Sequence, residues 1–191
     1  KIWLIIFLAL CGCVLLAYGF HGTKDSNATD YNELRLAHPD FIEFIGDIEK
    51  KEQRFAEYET PEGAFLSIGM AWKSLADRTR EVGHYKKAME YFDFGFTESG
   101  DSVPLFLINS GNMAVHMKDY ELAESYYLRA LEMGKNTEST YLRLADLYYY
   151  NMKKDPKEII QLLDKAIERI VGAHNSRAFK EKLLRELEGA Q

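Results

Sequence analysis

Cysteine is almost absent from this sequence of 191 residues. The two that occur, Cys11 and Cys13, both lie in the apolar N-terminal stretch, so the rest of the chain has no thiol. This excludes a disulfide framework and a cysteine metal site from the polar part of the chain. A cysteine-free domain suits an oxidising compartment, although it does not require one.

Proline and clusters of positive charge are also scarce. The chain has four prolines, and its many Ala, Leu, Glu and Lys residues favour helix. The formal net charge is −6 at pH 7, and no basic run occurs. An acidic chain without a basic patch is unsuited to the phosphate backbone of nucleic acids, so we expect no nucleic-acid partner.

Motifs that carry catalysis are missing as well. The sequence contains no G-x-S-x-G, P-loop or G-x-G-x-x-G pattern, and its five histidines form no H-E-x-x-H pair. Glu81 and His84 have the spacing of metal ligands on a helix, but Gly83 between them favours a helix end. We therefore interpret His84 as a turn residue. The sequence predicts no enzyme activity, cofactor or metal.

Residues 2–20 form a long stretch without charge. As a helix at about 1.5 Å per residue, this stretch would span roughly 28 Å, close to the apolar thickness of a bilayer. Trp3 and Tyr18 lie near its two ends, where aromatic rings favour the membrane interface. Residues 1–20 are therefore predicted to form a transmembrane helix that acts as an uncleaved signal anchor.

Two other interpretations of this segment stay open. Residues 10–13 (LCGC) resemble the lipobox of bacterial lipoproteins, in which Cys13 would be lipidated and become the new N-terminus. The small-x-small pattern at residues 17–19 would suit cleavage by a signal peptidase. Lys1 before the segment, with few basic residues after it, places the N-terminus in the cytoplasm. The expected location is the cell membrane, with a single span and an extracytoplasmic soluble domain.

The rest of the chain is predicted to be helical behind a polar spacer. Residues 21–38 are rich in Gly, Ser, Asn, Asp and Thr and are typical of a linker. Pro39 then opens a first helix, and Pro61 starts a second one that extends to about Val82. We assign residues 39–68 to N-terminal flanking helices.

Internal periodicity is the strongest signal in the sequence. Within residues 69–172, small and aromatic residues recur at intervals of 34 to 36 residues. The third copy is the most divergent. The corresponding positions are Trp72, Leu107 and Tyr141; Ala76, Gly111 and Ala145; Tyr85 and Tyr120; Ala88, Ala123 and Ile159; and Phe92, Tyr127 and Leu163.

These residues resemble the tetratricopeptide repeat, a helix-turn-helix unit of about 34 residues. The resemblance implies an all-α fold in which about three helical hairpins stack as a solenoid over residues 69–172. Small residues would lie where helices approach closely, and larger apolar residues would fill the gaps between them. A lengthened turn is expected at residues 151–156. An amphipathic helix in residues 173–191 is expected to cap the last repeat.

By resemblance to this family, the first helix of each repeat would line a concave groove that binds a partner peptide. Some family members hold a carboxylate there with Lys, Asn and Arg, which match Lys73, Asn109 and Arg143. Asp77 and Ser139 depart from that pattern, so a mixed groove for an extended or helical peptide is favoured. The predicted groove residues are Lys73, Asp77, Asn109, Asn112, His116, Arg143, Asp146, Tyr149 and Tyr150. The two tyrosines offer contact area and a hydrogen bond at low entropic cost.

The sequence thus predicts a membrane-anchored scaffold or adaptor that binds a protein or peptide partner. Envelope, secretion or pilus assembly would suit such a protein, by analogy with anchored repeat proteins. The alternative is a structural or self-associating component of a larger membrane complex. Contact with the membrane itself is expected through residues 2–20.

Ala123 tests the register of the repeat, because it is placed in the contact between neighbouring repeats. Replacing Ala123 by Arg forces a charge into an apolar contact, so we expect the folded state to be lost. Circular dichroism and thermal unfolding measure this. Melting like that of the parent chain would show that the register is wrong.

Overall fold

A computed structural model of the chain describes residues 29–134 and 137–189, and all regular elements of these residues are helices. The predicted all-α fold class is confirmed for this part of the chain. The chain divides into two compact units, Lys1–Tyr58 and Glu59–Gln191.

The predicted membrane segment, residues 1–20, lies outside the described residues, as does the alternative lipid anchor at Cys13. Among the helices that are described, none combines the length and the apolar character needed to cross a bilayer. Attachment to a membrane therefore stays a prediction from the sequence.

The described residues of the first unit, 29–58, form two helices and two single turns of 3-10 helix. Asp30 caps the first helix by accepting two backbone N–H groups of its first turn, at 2.9 and 3.0 Å. This cap explains why a helix forms inside residues 21–38, which were expected to be a linker. Arg35 of the first helix forms an ion pair with Glu49 of the second. The elements are α1 (Tyr31–Ala37), a 3-10 turn (Pro39–Phe41), α2 (Ile42–Gln53) and a second 3-10 turn (Phe55–Glu57).

The second unit is a succession of helices in which each one packs on the next in the chain. The last helix also contacts α7. The elements are α3 (Pro61–Thr79), α4 (Val82–Glu98), α5 (Pro104–His116), α6 (Tyr120–Glu132), α7 (Glu138–Asp146), a π-helix (Leu147–Met152), α8 (Pro156–Arg169) and α9 (His174–Gly189).

Local sequence signals explain where these helices begin and end. Proline occupies the first turn of α3, α5 and α8, where its missing N–H has no intrahelical partner to lose. Three helices end at a basic residue with a positive φ, at Arg80 (61°), Lys118 (63°) and Lys153 (55°). A left-handed residue at this position reverses the chain and satisfies the last carbonyls of the helix. Each of these turns therefore leads directly into an antiparallel helix.

Aromatic rings that pack on glycine set the distance between neighbouring helices. A Cβ atom built on Gly111 of α5 would lie 2.6 Å from the ring of Tyr127 on α6. The same construction at Gly69 of α3 places the Cβ 2.6 Å from the ring of Phe92 on α4. Gly95 makes a third contact of this kind with α5. These contacts confirm the close approach that was predicted at Gly111.

The core of the second unit lies along the positions that the periodicity singled out. One cluster of buried residues extends from α5 to α9 and includes Tyr127, Leu163 and Leu183. Leu183 belongs to the terminal amphipathic helix and is fully buried. The small residues of the predicted pattern with no exposed surface are Ala76, Ala88, Ala123 and Ala145.

His84 differs from its prediction, because it lies in the first turn of α4 rather than in a turn outside the helix. Its Nδ1 atom is 2.8 Å from the hydroxyl of Thr79, and its ring centroid is 5.8 Å from that of Trp72. Gly83 suggested a helix end, but a glycine is well tolerated in a first turn, where backbone N–H groups lack intrahelical partners in any case.

The turn expected at residues 151–156 is also different. The chain continues from α7 as a π-helix through Met152, and only residues 153–155 separate that π-helix from α8. A π-helix carries more residues per turn than an α-helix. The extra residues of the third hairpin therefore widen the helix instead of lengthening the turn.

Gly111 provides a test of the contact between ring and glycine. In Gly111→Ala the new Cβ would force the Tyr127 ring to move, and we expect a loss of about 1–2 kcal/mol in the free energy of unfolding. Gly83→Ala is the matched control, since nothing lies within 4 Å of a Cβ there. Urea denaturation of both variants measures the difference. Equal stability of the two variants would contradict the proposed packing.

Candidate functional site

Polar and aromatic side chains of successive helices form a row in the second unit. Most neighbours in the row are in contact, His116 and Asn112 lie one turn apart on α5, and Arg143 and Asp146 are linked to their neighbours through the effects of their charges. Eight of the nine predicted groove residues belong to it, and Asn109 lies half-buried one turn before Asn112 on α5. We call this set the polar row: Lys73, Asp77, Tyr85, His116, Asn112, Tyr127, Arg143, Asp146, Lys182, Tyr149 and Tyr150.

The α3 end of the polar row is built around the carboxylate of Asp77. The ammonium of Lys73 lies 2.5 Å from this carboxylate, and the hydroxyl of Tyr85 donates to it at 3.2 Å. The pKa of Asp77 lies below its usual value. Burial alone would raise this pKa, but the Lys73 ammonium and the Tyr85 hydroxyl stabilise the carboxylate by more than burial destabilises it. Because Lys73 is already paired, it offers little free charge for the carboxylate of a partner.

His116 joins α5 to this end of the row. Its ring stacks on Tyr85, with centroids 4.7 Å apart and planes only 5° from parallel. Burial lowers the pKa of His116, although the nearby Asp77 carboxylate acts in the opposite direction. The lowered pKa favours the neutral imidazole, which can both donate and accept a hydrogen bond.

The middle of the polar row connects α5, α6 and α7. The hydroxyl of Tyr127 donates to Oδ1 of Asn112 at 2.8 Å. Burial raises the pKa of Tyr127 to about 12. The charges of Arg143, which lowers this pKa, and of Asp146, which raises it, have smaller effects. The phenol thus stays protonated near neutral pH and remains a hydrogen-bond donor. Arg143 is exposed and one turn from Asp146 on α7.

The α9 end of the row is mainly aromatic. Tyr149 packs edge-to-face against both Tyr150 and Phe179, with centroid distances of 4.7 and 5.6 Å. The Tyr149 hydroxyl donates to both carboxylate oxygens of Glu186, at 2.9 and 3.0 Å. The ammonium of Lys182 lies 4.5 Å from the Tyr149 ring centroid and 5.4 Å from that of Tyr150.

Lys182 and Glu186 were missed by the sequence analysis, which assigned the last helix to capping alone. Their spacing from Phe179 could have revealed them, because residues three and four apart share one face of a helix. Phe179, Lys182 and Glu186 thus lie on one stripe of α9. What the sequence could not show is that this stripe contacts the tyrosines that follow α7.

A second carboxylate network lies on a different side of α6. Asp93 accepts hydrogen bonds from the Ser110 hydroxyl at 2.6 Å and from the Tyr126 hydroxyl at 2.8 Å. Burial raises the pKa of Asp93, and the two hydroxyl donors only partly offset it. Ser110 is fully buried. We interpret this network as a link between helices.

No family model matches the sequence, and a search of curated proteins finds no match either. The resemblance to the tetratricopeptide repeat therefore depends on the periodic residues alone. Function has to be inferred from the geometry of the polar row.

The pair formed by Lys73 and Asp77 predicts a pH dependence. The pKa of Asp77 is lower in the folded state than in the unfolded chain. Its carboxylate therefore stabilises the fold at pH values above the unfolded-state pKa, and this contribution is lost as the pH falls through the folded-state pKa. We expect Asp77→Asn to cost up to about 1 kcal/mol at pH 7, because the pair is partly exposed. The difference from the parent chain should shrink below about pH 4, near the reference value for Asp.

Urea denaturation at neutral and acidic pH measures this difference. Tyr85→Phe is the control, since it removes one hydrogen bond to Asp77 and leaves the ion pair in place. A difference between Asp77→Asn and the parent chain that stays constant with pH would contradict the ion pair.

Proposed function

We propose that the chain is a membrane-anchored scaffold or adaptor of the tetratricopeptide-repeat type, and that the polar row binds a segment of a protein partner. The observation that carries this proposal is that eight of the nine predicted groove residues belong to the polar row. Side chains from α3, α4, α5, α6, α7 and α9 contribute to it, through direct contacts toward both ends and through the effects of the Arg143 and Asp146 charges in between.

The packing of the helices supports the assignment to this repeat type. Each helix of the second unit contacts its successor, and short turns with left-handed residues separate α3 from α4 and α5 from α6. The residues predicted to be small at helix contacts are buried, and Gly111 lies directly beneath an aromatic ring. Stacked hairpins of this kind need such positions because a single hairpin cannot bury its apolar side.

The chemistry of the row favours a polypeptide over a small charged molecule. Neutral donors and acceptors, such as Asn112 and His116, alternate with rings and with charges of both signs. A polypeptide offers main-chain donors and acceptors along its whole length, and tyrosines add apolar area with little entropic cost. A dedicated carboxylate clamp fits less well, because Asp77 neutralises Lys73.

The anchor gives this binding surface its setting. Residues 2–20 would hold the chain at a membrane as a single span, with the second unit on the extracytoplasmic side. An adaptor there would gather a protein partner at the membrane surface, as envelope, secretion or pilus assembly requires. This part of the proposal depends on the sequence alone.

The alternative function is that of a structural subunit that associates with itself or with a larger membrane complex. Large apolar side chains with substantial exposure favour this alternative, among them Met70 (45%), Leu105 (46%) and Leu128 (40%). Single exposed apolar residues are common on monomers, however, and gain meaning only as a contiguous patch. Sedimentation of the full chain in detergent separates the two functions, since an adaptor needs no second copy.

Photo-crosslinking tests the adaptor function at Tyr150, which is 53% exposed and tolerates an aromatic crosslinker. In native membranes we expect adducts with one protein partner from Tyr150. The exposed Lys165 of α8, outside the polar row, is the matched control position and should give none. Adding Arg143→Ala should lower the Tyr150 adduct roughly five- to tenfold while the fold is kept, if Arg143 contacts the partner.

Two results would count against this function. Equal adducts from Tyr150 and Lys165 would show that the polar row is not selective. Adducts formed only with a second copy of the chain would favour the structural alternative.

A further inference from the structure

The side-chain amide of Asn112, in the middle of the polar row, is held by a single hydrogen bond. Its Oδ1 atom accepts from the hydroxyl of Tyr127 at 2.8 Å. Its Nδ2 group makes no hydrogen bond to any residue that the structure describes, and the asparagine is only half-buried. The two N–H donors of this amide are therefore open to a ligand.

Tyr127 decides which end of this amide faces outward. The tyrosine is only 2% exposed, and Oδ1 of Asn112 is the one acceptor that its hydroxyl has among the described residues. If the amide were turned over, the Tyr127 hydroxyl would face an N–H group and lose its acceptor. Leaving a buried hydroxyl without an acceptor is unfavourable, so the orientation with Nδ2 outward is preferred.

The core in turn fixes the position of the Tyr127 hydroxyl. The ring packs so closely on Gly111 that a Cβ atom there would lie 2.6 Å from it. Asn112 follows Gly111 directly in α5, so the hydroxyl at the far end of the same ring reaches its amide. The amide is thus held in one orientation before any ligand arrives. A donor that is already ordered binds more tightly, because less conformational entropy is lost on binding.

The surroundings of Asn112 favour a neutral acceptor. From α7, the charges of Arg143 and Asp146 act on the Tyr127 hydroxyl with opposite sign. A carboxylate ligand would be attracted by Arg143 but repelled by Asp146, whereas the carbonyl of a peptide bond has no net charge. Every residue of a polypeptide carries such a carbonyl, whatever its side chain.

We propose that Tyr127 is a positioning residue of the polar row, which orients the Asn112 amide to donate hydrogen bonds to a main-chain carbonyl of the partner. This inference rests on the proposed adaptor function and specifies the chemistry of its central contact. The middle of the row would bind the main chain of the partner independently of its sequence. Selection between partners is then left to the ends of the row, where charged and aromatic side chains lie.

Nuclear magnetic resonance tests the orientation, on the full chain in detergent micelles with nitrogen-15 in its asparagines. We expect the Asn112 side-chain amide to be rigid in the parent chain. In Tyr127→Phe, which keeps the ring on Gly111, its order parameter should fall below about 0.6. Tyr126→Phe is the matched control, since it removes from the same helix a hydroxyl that donates to Asp93, also at 2.8 Å. It should leave the Asn112 amide rigid.

The photo-crosslinker at Tyr150, in native membranes, measures binding of the partner. Tyr127→Phe should lower the adduct at least about threefold, and Asn112→Ala should lower it roughly five- to tenfold, because both weaken a neutral hydrogen bond. The double variant should lose no more than Asn112→Ala alone, since Tyr127 acts only through this amide. A merely structural role of Tyr127 would instead add its effect to that of Asn112→Ala. Tyr126→Phe should leave the adduct unchanged.

Asn112→Asp decides the question if Tyr127→Phe unfolds, because it keeps an acceptor for the Tyr127 hydroxyl and removes both N–H donors. We expect it to lower the Tyr150 adduct at least about fivefold.

Three results would overturn the inference: an Asn112 amide that stays rigid in Tyr127→Phe, an adduct that is unchanged in Asn112→Asp, or additive effects in the double variant. The adaptor function would survive each of them, as long as the parent chain still forms adducts with a partner from Tyr150. Absence of adducts from the parent chain would refute the adaptor function itself, and this contact with it.

Discussion

The close approach of helices beneath aromatic rings is the constraint on which the second unit depends. Tyr127 packs flat on Gly111, where even a methyl group would collide with the ring. The same tyrosine extends its hydroxyl past the glycine to Asn112, the next residue of α5. One side chain therefore both fixes the distance between two helices and supplies a polar atom of the candidate site. The packing of the core therefore positions this polar atom of the candidate site.

The periodic positions could be predicted from the sequence because small and aromatic residues at a fixed interval have a direct packing meaning. This is why Gly111 and Ala123 were correctly expected inside the fold. Contacts between distant segments carry no such signature. Lys182 meets Tyr149 only because the π-helix and α9 pack together, and neither the π-helix nor this meeting has a local sequence signal.

In the first unit, the sequence analysis missed a local feature of the chain, a helix inside the expected linker. Composition suggested a linker for residues 21–38, yet Asp30 begins a helix there by bonding two N–H groups. Average composition does not register a single capping side chain, which acts through geometry at one position. His84 illustrates the same limit, since Gly83 beside it suggested a helix end and the chain instead begins α4 one residue earlier, at Val82.

Tyrosine hydroxyls provide several carboxylates of this chain with a neutral hydrogen-bond donor. In four cases a phenol donates to a carboxylate on a neighbouring element: Tyr85 to Asp77, Tyr126 to Asp93, Tyr148 to Glu124 and Tyr149 to Glu186. Because the donor is neutral, dissolved salt screens these bonds less than it screens attraction between opposite charges. Lysines also pair with three of these carboxylates, Asp77, Glu124 and Glu186, so at these positions the phenol supplements an ion pair. All four carboxylates therefore have a hydrogen-bond partner that weakens little when added salt weakens the ion pairs around them.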